Sequence, residues 1–248
     1  GLLPVVVEDT AAPEVALPPQ DGTVVRLTRD PDAADDEATT DPHLTPHAAG
    51  SDVWVTGGLG AQLLLWEVAT AVAGRILGID PFDQPDVESA KKAARSLLEG
   101  TPEREPALLK DGPVEVRAPG DGSWLGDADD LVSAVDALLG RLDEQRGYLA
   151  VMAYLDRPGV PELEDVRRTL AVRTRRPVTF GWGPRFLHST GQFHKGGPPV
   201  GVYLQITDEP TADLAVPGRD FTFGTLVSAQ AAGDAQVRRA GRVHHLAR

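Results

Sequence analysis

The sequence predicts an α/β protein built around a mostly parallel sheet. Short apolar segments typical of buried strands alternate along the chain with longer segments in which apolar residues recur at helical spacing. Residues 148–155 are apolar almost without interruption, which is the pattern of a strand covered on both faces. Strands that alternate with helices in this way favour parallel pairing, with the helices packed against the sheet.

The first quarter of the chain carries three strand-like segments, over 2–7, 23–27 and 52–56. Residues 30–52 are rich in Asp, Ala, Thr, Pro and His, and this composition predicts an acidic, solvated loop or insertion. The first strand-like segment starts the sequence without a methionine or a polar lead-in. We therefore expect the chain to be one part of a longer protein.

A long apolar helix is predicted over 61–77, directly after the glycine-rich turn Gly57–Gly60. This helix contains Glu67 and Arg75 and is shorter than the roughly 20 apolar residues that cross a bilayer, so we expect it to be buried within the protein. The sequence does not open with the charged and apolar regions of a signal peptide, and a cytoplasmic location is the simplest expectation.

A second helix is predicted over 86–98, with its apolar residues in one stripe formed by Val87, Ala90, Ala94, Leu97 and Leu98. At about 100° per residue, Lys91 falls about 40° from Val87, on the rim of this stripe, whereas Lys92 points away. Lys91 is therefore the cation best placed to reach inward. The alternative is a surface amine whose aliphatic stem covers apolar residues.

The rest of the chain continues the alternation of strands and helices. Strands are predicted over 113–118, 148–155, 178–181, 200–207 and 243–246, and helices over 127–142, 161–173 and 223–239. One core without an internal repeat is expected. Ligands bind at the carboxyl ends of parallel strands. Because the turn 57–60 and the segment 181–199 both follow strands, we expect both at one edge of the same sheet.

The segment Gly181–Pro199 concentrates the polar chemistry of the chain. Glycines and prolines surround its donors, so an irregular loop that binds an anionic or polyhydroxylated ligand is predicted. Arg185 and Lys195 would hold a negative charge such as a phosphate. The full set of expected ligand contacts is Arg185, Ser189, Thr190, Gln192, His194 and Lys195.

His188 and His194 are the candidates for a general acid or base, because an imidazole titrates near neutral pH. No carboxylate lies close to them in the sequence to complete a catalytic triad or a metal site. Neither a metal nor a cofactor is therefore expected. A purely structural role is the alternative for each histidine.

The composition excludes several classes of function. The 248-residue chain has no cysteine, which excludes disulfides, thiolate metal sites and cysteine nucleophiles. Its formal net charge of −13 argues against nucleic-acid binding. The turn Gly57–Gly60 matches neither the dinucleotide-binding fingerprint nor a P-loop, so dehydrogenase and nucleotide-hydrolase activities are not expected.

Four segments resemble glucose-6-phosphate isomerases, and one of them, residues 65–74, looks like the helix that leads into the family's C-terminal signature. Residues 79–91 read Ile-Asp-Pro-Phe-Asp-Gln-Pro-Asp-Val-Glu-Ser-Ala-Lys, which is similar to the C-terminal signature of that family, where the catalytic lysine follows Val-Glu. Residues 183–197 and 221–234 resemble the bacterial branch that includes bifunctional transaldolase/glucose-6-phosphate isomerases. The likeness extends over most of the chain from about Val53 onward.

The resemblance implies a sugar isomerase (SIS) domain, a three-layer α/β/α sandwich around a mostly parallel sheet, with residues 1–248 forming the C-terminal SIS domain of a longer isomerase. It implies interconversion of glucose 6-phosphate and fructose 6-phosphate by ring opening and a cis-enediol. Lys91 matches the family's catalytic lysine. His188 is matched to its catalytic histidine, with His194 as the substitute.

The family's glutamate base, its enediol-facing arginine and its main phosphate loop have no match in this chain. The resemblance therefore implies that they lie upstream and that the isolated chain is inactive. Its expected partners are a sugar phosphate, the remaining N-terminal SIS domain of the same enzyme and, in a homodimer, a second copy; neither nucleic acid nor membrane is expected. The alternative is a non-catalytic sugar-phosphate-binding SIS module that regulates a partner and has no need of the Lys91 amine.

Overall fold

Two compact units make up the chain, one formed by Val6–Asp83 and the other by Gly1–Val5 together with Gln84–Arg248. The structure, a computed structural model, describes residues 2–7, 12–16, 22–29, 53–83, 85–100, 106–118, 121–187, 189–210, 212–238 and 244–247. The acidic stretch 30–52 lies outside the described residues. The assignment of residues 1–248 to one SIS domain stays a prediction.

The unit Val6–Asp83 contains α1 (Pro13–Ala16), β1 (Val25–Thr28), β2 (Val53–Thr56) and α2 (Leu59–Leu77). β1 and β2 pair in parallel, and together with α2 they confirm three predicted elements. α2 ends at Gly78, whose φ of 69° lies in the left-handed region that favours glycine.

The exposure of α2 contradicts the prediction of a buried helix. Its buried residue is Gly74, whereas Leu64 is 62% exposed and Ile76 is 78% exposed. The sheet described in this unit has two strands of four residues, which is too little surface to cover a helix of 19 residues. No helix among the described residues has the length and apolar character needed to cross a bilayer.

Six strands of the other unit form one sheet. They are β3 (Leu109–Asp111), β4 (Val114–Arg117), β5 (Tyr148–Tyr154), β6 (Val178–Trp182), β7 (Gly201–Thr207) and β8 (His244–Ala247), arranged in the order β3–β4–β8–β7–β5–β6. β5 pairs in parallel with both β6 and β7, and β7 pairs in parallel with β8. The pairings β3–β4 and β4–β8 are antiparallel. The fold is therefore α/β with mostly parallel pairing, as predicted.

The helices of this unit are α3 (Pro85–Glu99), α4 (Leu131–Leu139), α5 (Val166–Thr174), α6 (Ser189–Gly196) and α7 (Phe223–Arg238). Short 3-10 turns occur at Ser123–Leu125, Arg157–Gly159, Pro161–Asp165 and Arg185–Leu187. α4 begins later than predicted because Asp130 caps it. The Asp130 carboxylate accepts a hydrogen bond from the Ser133 N–H, and the Ser133 hydroxyl accepts one from the Asp130 N–H.

Helices cover both faces of the sheet around β5. Leu149 and Val151 share one core cluster with residues of α4 and α5. Ala150 and Met152 share another with Phe186 and with Ala231 of α7. Successive side chains of a strand point to opposite faces. The uninterrupted apolar sequence of β5 is therefore explained by a core on each side of it.

Two predictions about strand positions are wrong. Residues 2–7 pair with no described strand; instead, Leu3 packs against the cluster that contains Met152. β2 belongs to the two-stranded sheet, so the turn Gly57–Gly60 does not share a sheet edge with the segment 181–199, which follows β6. The apolar pattern identified β2 correctly as a strand, but it carries no information about which strands pair.

Candidate functional site

A cleft of about 560 Å³ lies between α3, α7 and the turn Arg185–Leu187. Its walls are formed mainly by apolar side chains, and three cations and one amide add polar groups. The lining residues are Val87, Ala90, Lys91, Ala94, Arg95, Leu98, Pro184, Arg185, Leu187, Leu226 and Gln230. This volume falls within the range of small-molecule sites. The cleft therefore brings together two of the predicted site residues, Lys91 and Arg185.

Close packing of α3 against α7 forms the base of this cleft. A Cβ atom added at Gly233 would lie 2.7 Å from the Ala94 nitrogen and 3.1 Å from the Ala90 oxygen. Ala90 and Ala94 are both buried, as the predicted apolar stripe requires. Small residues on both helices thus let the two backbones approach closely.

Lys91 stands on the rim of the apolar stripe, in agreement with the spacing. Its side chain is 44% exposed, and its Nζ donates a hydrogen bond of 2.6 Å to Oε1 of Glu88. This hydrogen bond and the charge of Lys91 lower the pKa of the Glu88 carboxyl from its ordinary value. Arg95 lowers the same pKa through its charge. The Lys91 amine, which is predicted to be catalytic, therefore forms an ion pair with the Glu88 carboxylate.

Residues 189–196 form α6, so the prediction of an irregular glycine-rich loop over 181–199 is wrong for this part. The glycines serve close contacts rather than flexibility. A Cβ atom at Gly191 would lie 2.6 Å from the Phe186 carbonyl oxygen and 2.9 Å from the Lys195 Nζ. A Cβ atom at Gly197 would also clash with the Phe193 carbonyl. The small residues of this segment predicted a loop, whereas in the structure they allow tight packing.

His194 is buried and takes part in a chain of hydrogen bonds with two tyrosines. Tyr203 donates its hydroxyl proton to the His194 carbonyl at 2.8 Å. The hydroxyls of Tyr148 and Tyr203 are 2.8 Å apart, and the Tyr148 hydroxyl lies 2.9 Å from Nδ1 of His194. Stacking on Tyr148, at a ring-centroid distance of 5.6 Å, further fixes the imidazole.

The directions of these bonds identify the tautomer of His194. A hydroxyl has one proton, and that of Tyr203 goes to the carbonyl. The Tyr203 oxygen must therefore accept the proton of Tyr148, and the Tyr148 oxygen must accept from Nδ1–H of His194. His194 is thus assigned a proton on Nδ1. This network gives the residue a structural function, the alternative that the sequence left open.

Lys195 and Asp234 join α6 to α7 in the interior. Lys195 Nζ lies 2.7 Å from Oδ1 of Asp234, and both side chains are 0% exposed. The close approach is an ion pair, since the angles fall outside those of a hydrogen bond. Two opposite charges removed from water in this way stabilise each other, and replacing one of them would reduce the compensation of the other.

The other predicted site residues are spread over the same segment. His188 lies outside the described residues, and for Ser189 only its place at the start of α6 is described. Thr190 and Gln192 are half-buried on α6. Lys91 and Arg185 thus lie together in the cleft, whereas His194 and Lys195 lie in the interior and do not line it.

Two charged residues of this region, Arg95 and Asp234, were not predicted from the sequence. Arg95 lines the cleft, four residues after Lys91, and the i, i+4 spacing on one helix face was a signal for it. Asp234 is the single charge within a run of small residues in α7, which is the pattern of a buried group with a partner. No group of three or more His, Cys, Asp or Glu among the described residues could hold a metal ion.

Comparison with known proteins supports only a short likeness. No family model matches the chain. A probable glucose-6-phosphate isomerase of Methanococcus maripaludis is 44% identical over 43 residues, and this match covers 17% of the chain and 10% of the relative. A crystal structure of a hypothetical protein from Thermus thermophilus aligns with a TM-score of 0.38 and 16% identity, over 66% of this chain and 39% of that one.

Proposed function

We propose that this chain is part of a sugar-phosphate isomerase that interconverts glucose 6-phosphate and fructose 6-phosphate. The observation that carries the proposal is the cleft in which Lys91 lies with Arg185. Lys91 belongs to the segment that resembles the family signature, and the 43-residue match to a probable glucose-6-phosphate isomerase supports the same class of reaction. The cleft offers positive charge for a phosphate and room for a hexose.

Lys91 and His188 carry the ring-opening step in this proposal. Opening a pyranose requires one group to take the O1 proton and another to protonate O5. An amine and an imidazole can exchange these protons without a metal, and nearby cations stabilise the charge that develops on the enediol oxygens. The enediol-facing arginine expected outside this chain would supply that charge. His194 is the substitute for His188, although its Nδ1 is engaged with Tyr148.

The remaining catalytic parts would come from outside these 248 residues. We propose that the α/β sheet with helices on both faces is the C-terminal SIS domain of a cytoplasmic enzyme. An N-terminal SIS domain would supply the glutamate base and the main phosphate loop, and a homodimer would bring a second copy close to the site. The isolated chain should then turn over neither glucose 6-phosphate nor fructose 6-phosphate at the rate of the complete protein.

Replacement of Lys91 by Ala in the complete protein tests the catalytic assignment. Loss of one acid–base group should lower kcat by about 10²- to 10⁴-fold, while the affinity for sugar phosphate changes little. Lys92→Ala is the matched control, since Lys92 lies on the same helix and does not line the cleft. Near-normal turnover by Lys91→Ala would contradict the catalytic assignment of Lys91. The chain would then fit a sugar-phosphate-binding module better than an isomerase.

A further inference from the structure

The cleft is a local cationic site in an acidic protein. The chain carries a formal net charge of −13, yet among the described residues those that line the cleft include Lys91, Arg95 and Arg185 and no carboxylate. Such a concentration of one sign in a concave, partly apolar surface raises the local concentration of counter-ions. A small anion is therefore the class of ligand that this surface attracts.

The two arginines of the cleft are the cations that remain available. Neither Arg95 nor Arg185 forms a hydrogen bond or an ion pair with a described residue, and both are exposed. Lys91, in contrast, is held by Glu88 at 2.6 Å. An anion can therefore bind the guanidinium groups without breaking an existing contact, whereas contact with Lys91 requires competition with Glu88.

We propose that Arg95 and Arg185 form a binding subsite for the phosphoryl group of a small phosphate monoester, and that Glu88 weakens this subsite by holding Lys91. The inference deepens the proposed function and rests on it for the identity of the monoester as a hexose phosphate. It assigns phosphate binding to this chain itself, in addition to the loop expected upstream. Arg95 is thereby a specificity-determining residue that the family resemblance did not indicate.

The chemistry of the walls suits such a ligand. A guanidinium presents parallel N–H donors that match two phosphoryl oxygens. Apolar side chains that line the same cleft, among them Val87 and Leu226, can cover the carbon face of a small polyol. The cleft volume of about 560 Å³ accommodates a hexose phosphate with bound water.

Titration of the full 248-residue chain with inorganic phosphate tests the proposal by NMR, at constant ionic strength maintained with sodium chloride. We expect saturable shifts of resonances in α3 and in residues 184–187, with a Kd on the order of millimolar. Fructose 6-phosphate should bind at the same place and more tightly, whereas neutral fructose should cause no saturable shift there. Free phosphate and fructose 6-phosphate thus separate the contribution of the phosphoryl group from that of the sugar.

Three single substitutions and one control make the test specific. Arg95→Gln and Arg185→Gln should each weaken phosphate binding by about 3- to 10-fold, because each removes one charge-assisted contact at a partly exposed site. Glu88→Gln should strengthen binding by about 3-fold, because it releases Lys91. As the control, Lys92→Gln removes the same charge from the same helix outside the cleft and should leave the Kd within about 2-fold.

Several outcomes would overturn the proposal. Absence of saturable phosphate binding to the wild-type chain would do so, as would a Lys92→Gln effect as large as that of Arg95→Gln. An unchanged or weaker affinity in Glu88→Gln would remove the inhibitory role of Glu88. Circular dichroism of each variant separates loss of binding from loss of folding. Since phosphate binding requires no isomerase chemistry, failure here is distinct from failure of the Lys91→Ala test.

Discussion

Lys195 Nζ lies 2.7 Å from Oδ1 of Asp234, and neither side chain is exposed to solvent. The pair joins α6, which begins at Ser189, to α7, which packs along the base of the cleft. α6 was predicted to bind ligand directly through Lys195, but in this structure the ammonium faces a carboxylate in the interior. The pair therefore holds in place a helix that immediately follows the candidate catalytic His188.

Breaking this ion pair should strongly destabilise the protein. Lys195→Met and Asp234→Asn should each lower the free energy of unfolding by about 3–5 kcal/mol, because each removes the opposite charge from a buried ion pair. The double variant should be less destabilised than the sum of the two, with a coupling energy of about 2 kcal/mol or more. Denaturant unfolding followed by circular dichroism measures all four proteins.

An exposed ion pair provides the control for this experiment. Arg173 and Asp136 approach within 2.5 Å, but their side chains are 54% and 45% exposed. Asp136→Asn should therefore cost less than about 1 kcal/mol. Equal losses for Asp136→Asn and Asp234→Asn would contradict the claim that burial makes the interior pair important.

The tyrosine and histidine chain gives a prediction about proton position. His194 should carry its proton on Nδ1, because the hydroxyl of Tyr203 is already used by the His194 carbonyl. Long-range ¹H–¹⁵N NMR distinguishes the two neutral tautomers of the imidazole. Tyr203→Phe removes the donor that fixes the order of the chain, and it should lower the free energy of unfolding by about 1–3 kcal/mol. A proton observed on Nε2 in the wild-type protein would show that the hydrogen bonds between Tyr203, Tyr148 and His194 run in the opposite direction.

Gly233 sets the distance between α3 and α7. In Gly233→Ala the new methyl group would meet the Ala94 backbone at 2.7–3.0 Å, and the overpacking should cost about 1–3 kcal/mol of unfolding free energy. This loss would exceed the gain of up to about 1 kcal/mol that alanine normally brings to a helix interior. Gly100→Ala is the control, since the nearest atom there is the Ser96 oxygen at 3.8 Å. A Gly233→Ala variant as stable as the wild type would contradict the close contact of the two helices.

The alternation of strands and helices was predictable because it follows from patterns within single segments. β5 is apolar on both faces, and the structure places a core on each side of it. The position of Lys91 also followed from helix geometry alone, since 100° per residue put it on the rim of the α3 stripe. These conclusions needed no information about which segments meet.

The incorrect predictions depend on contacts between different elements, which the pattern within one segment does not encode. The sequence around Lys195 does not indicate that its partner is Asp234, whose carboxylate reaches it from α7. The sequence predicts Gly191 as a loop residue. In the structure a Cβ atom at this position would lie 2.6 Å from the Phe186 carbonyl oxygen, so close packing requires the glycine. The separate sheet of β1 and β2 likewise follows from pairing, which periodicity does not encode.

Asp213 links the stability of the start of α7 to pH. The hydrogen bond from the Thr222 hydroxyl, followed by that from the Gly224 N–H at 2.8 Å, lowers the pKa of the Asp213 carboxyl from its ordinary value of 3.8. A carboxyl whose pKa is lower in the folded than in the unfolded protein stabilises the fold above the unfolded pKa. That stabilisation is lost as the pH falls through the folded pKa.

Asp213→Asn should therefore be less stable than the wild type at pH 7, and the difference should shrink as the pH falls below about 4, where the wild-type carboxyl becomes neutral as well. Urea unfolding of both proteins at a series of pH values from about 7 to about 3 gives the two curves. Asp220→Asn, which removes the same charge from an exposed residue before α7, controls for the change in net charge. If the difference between wild type and Asp213→Asn stays constant over this range, the ionised carboxylate does not hold the start of α7, and the hydrogen bonds from Thr222 and Gly224 contribute equally well to a neutral side chain.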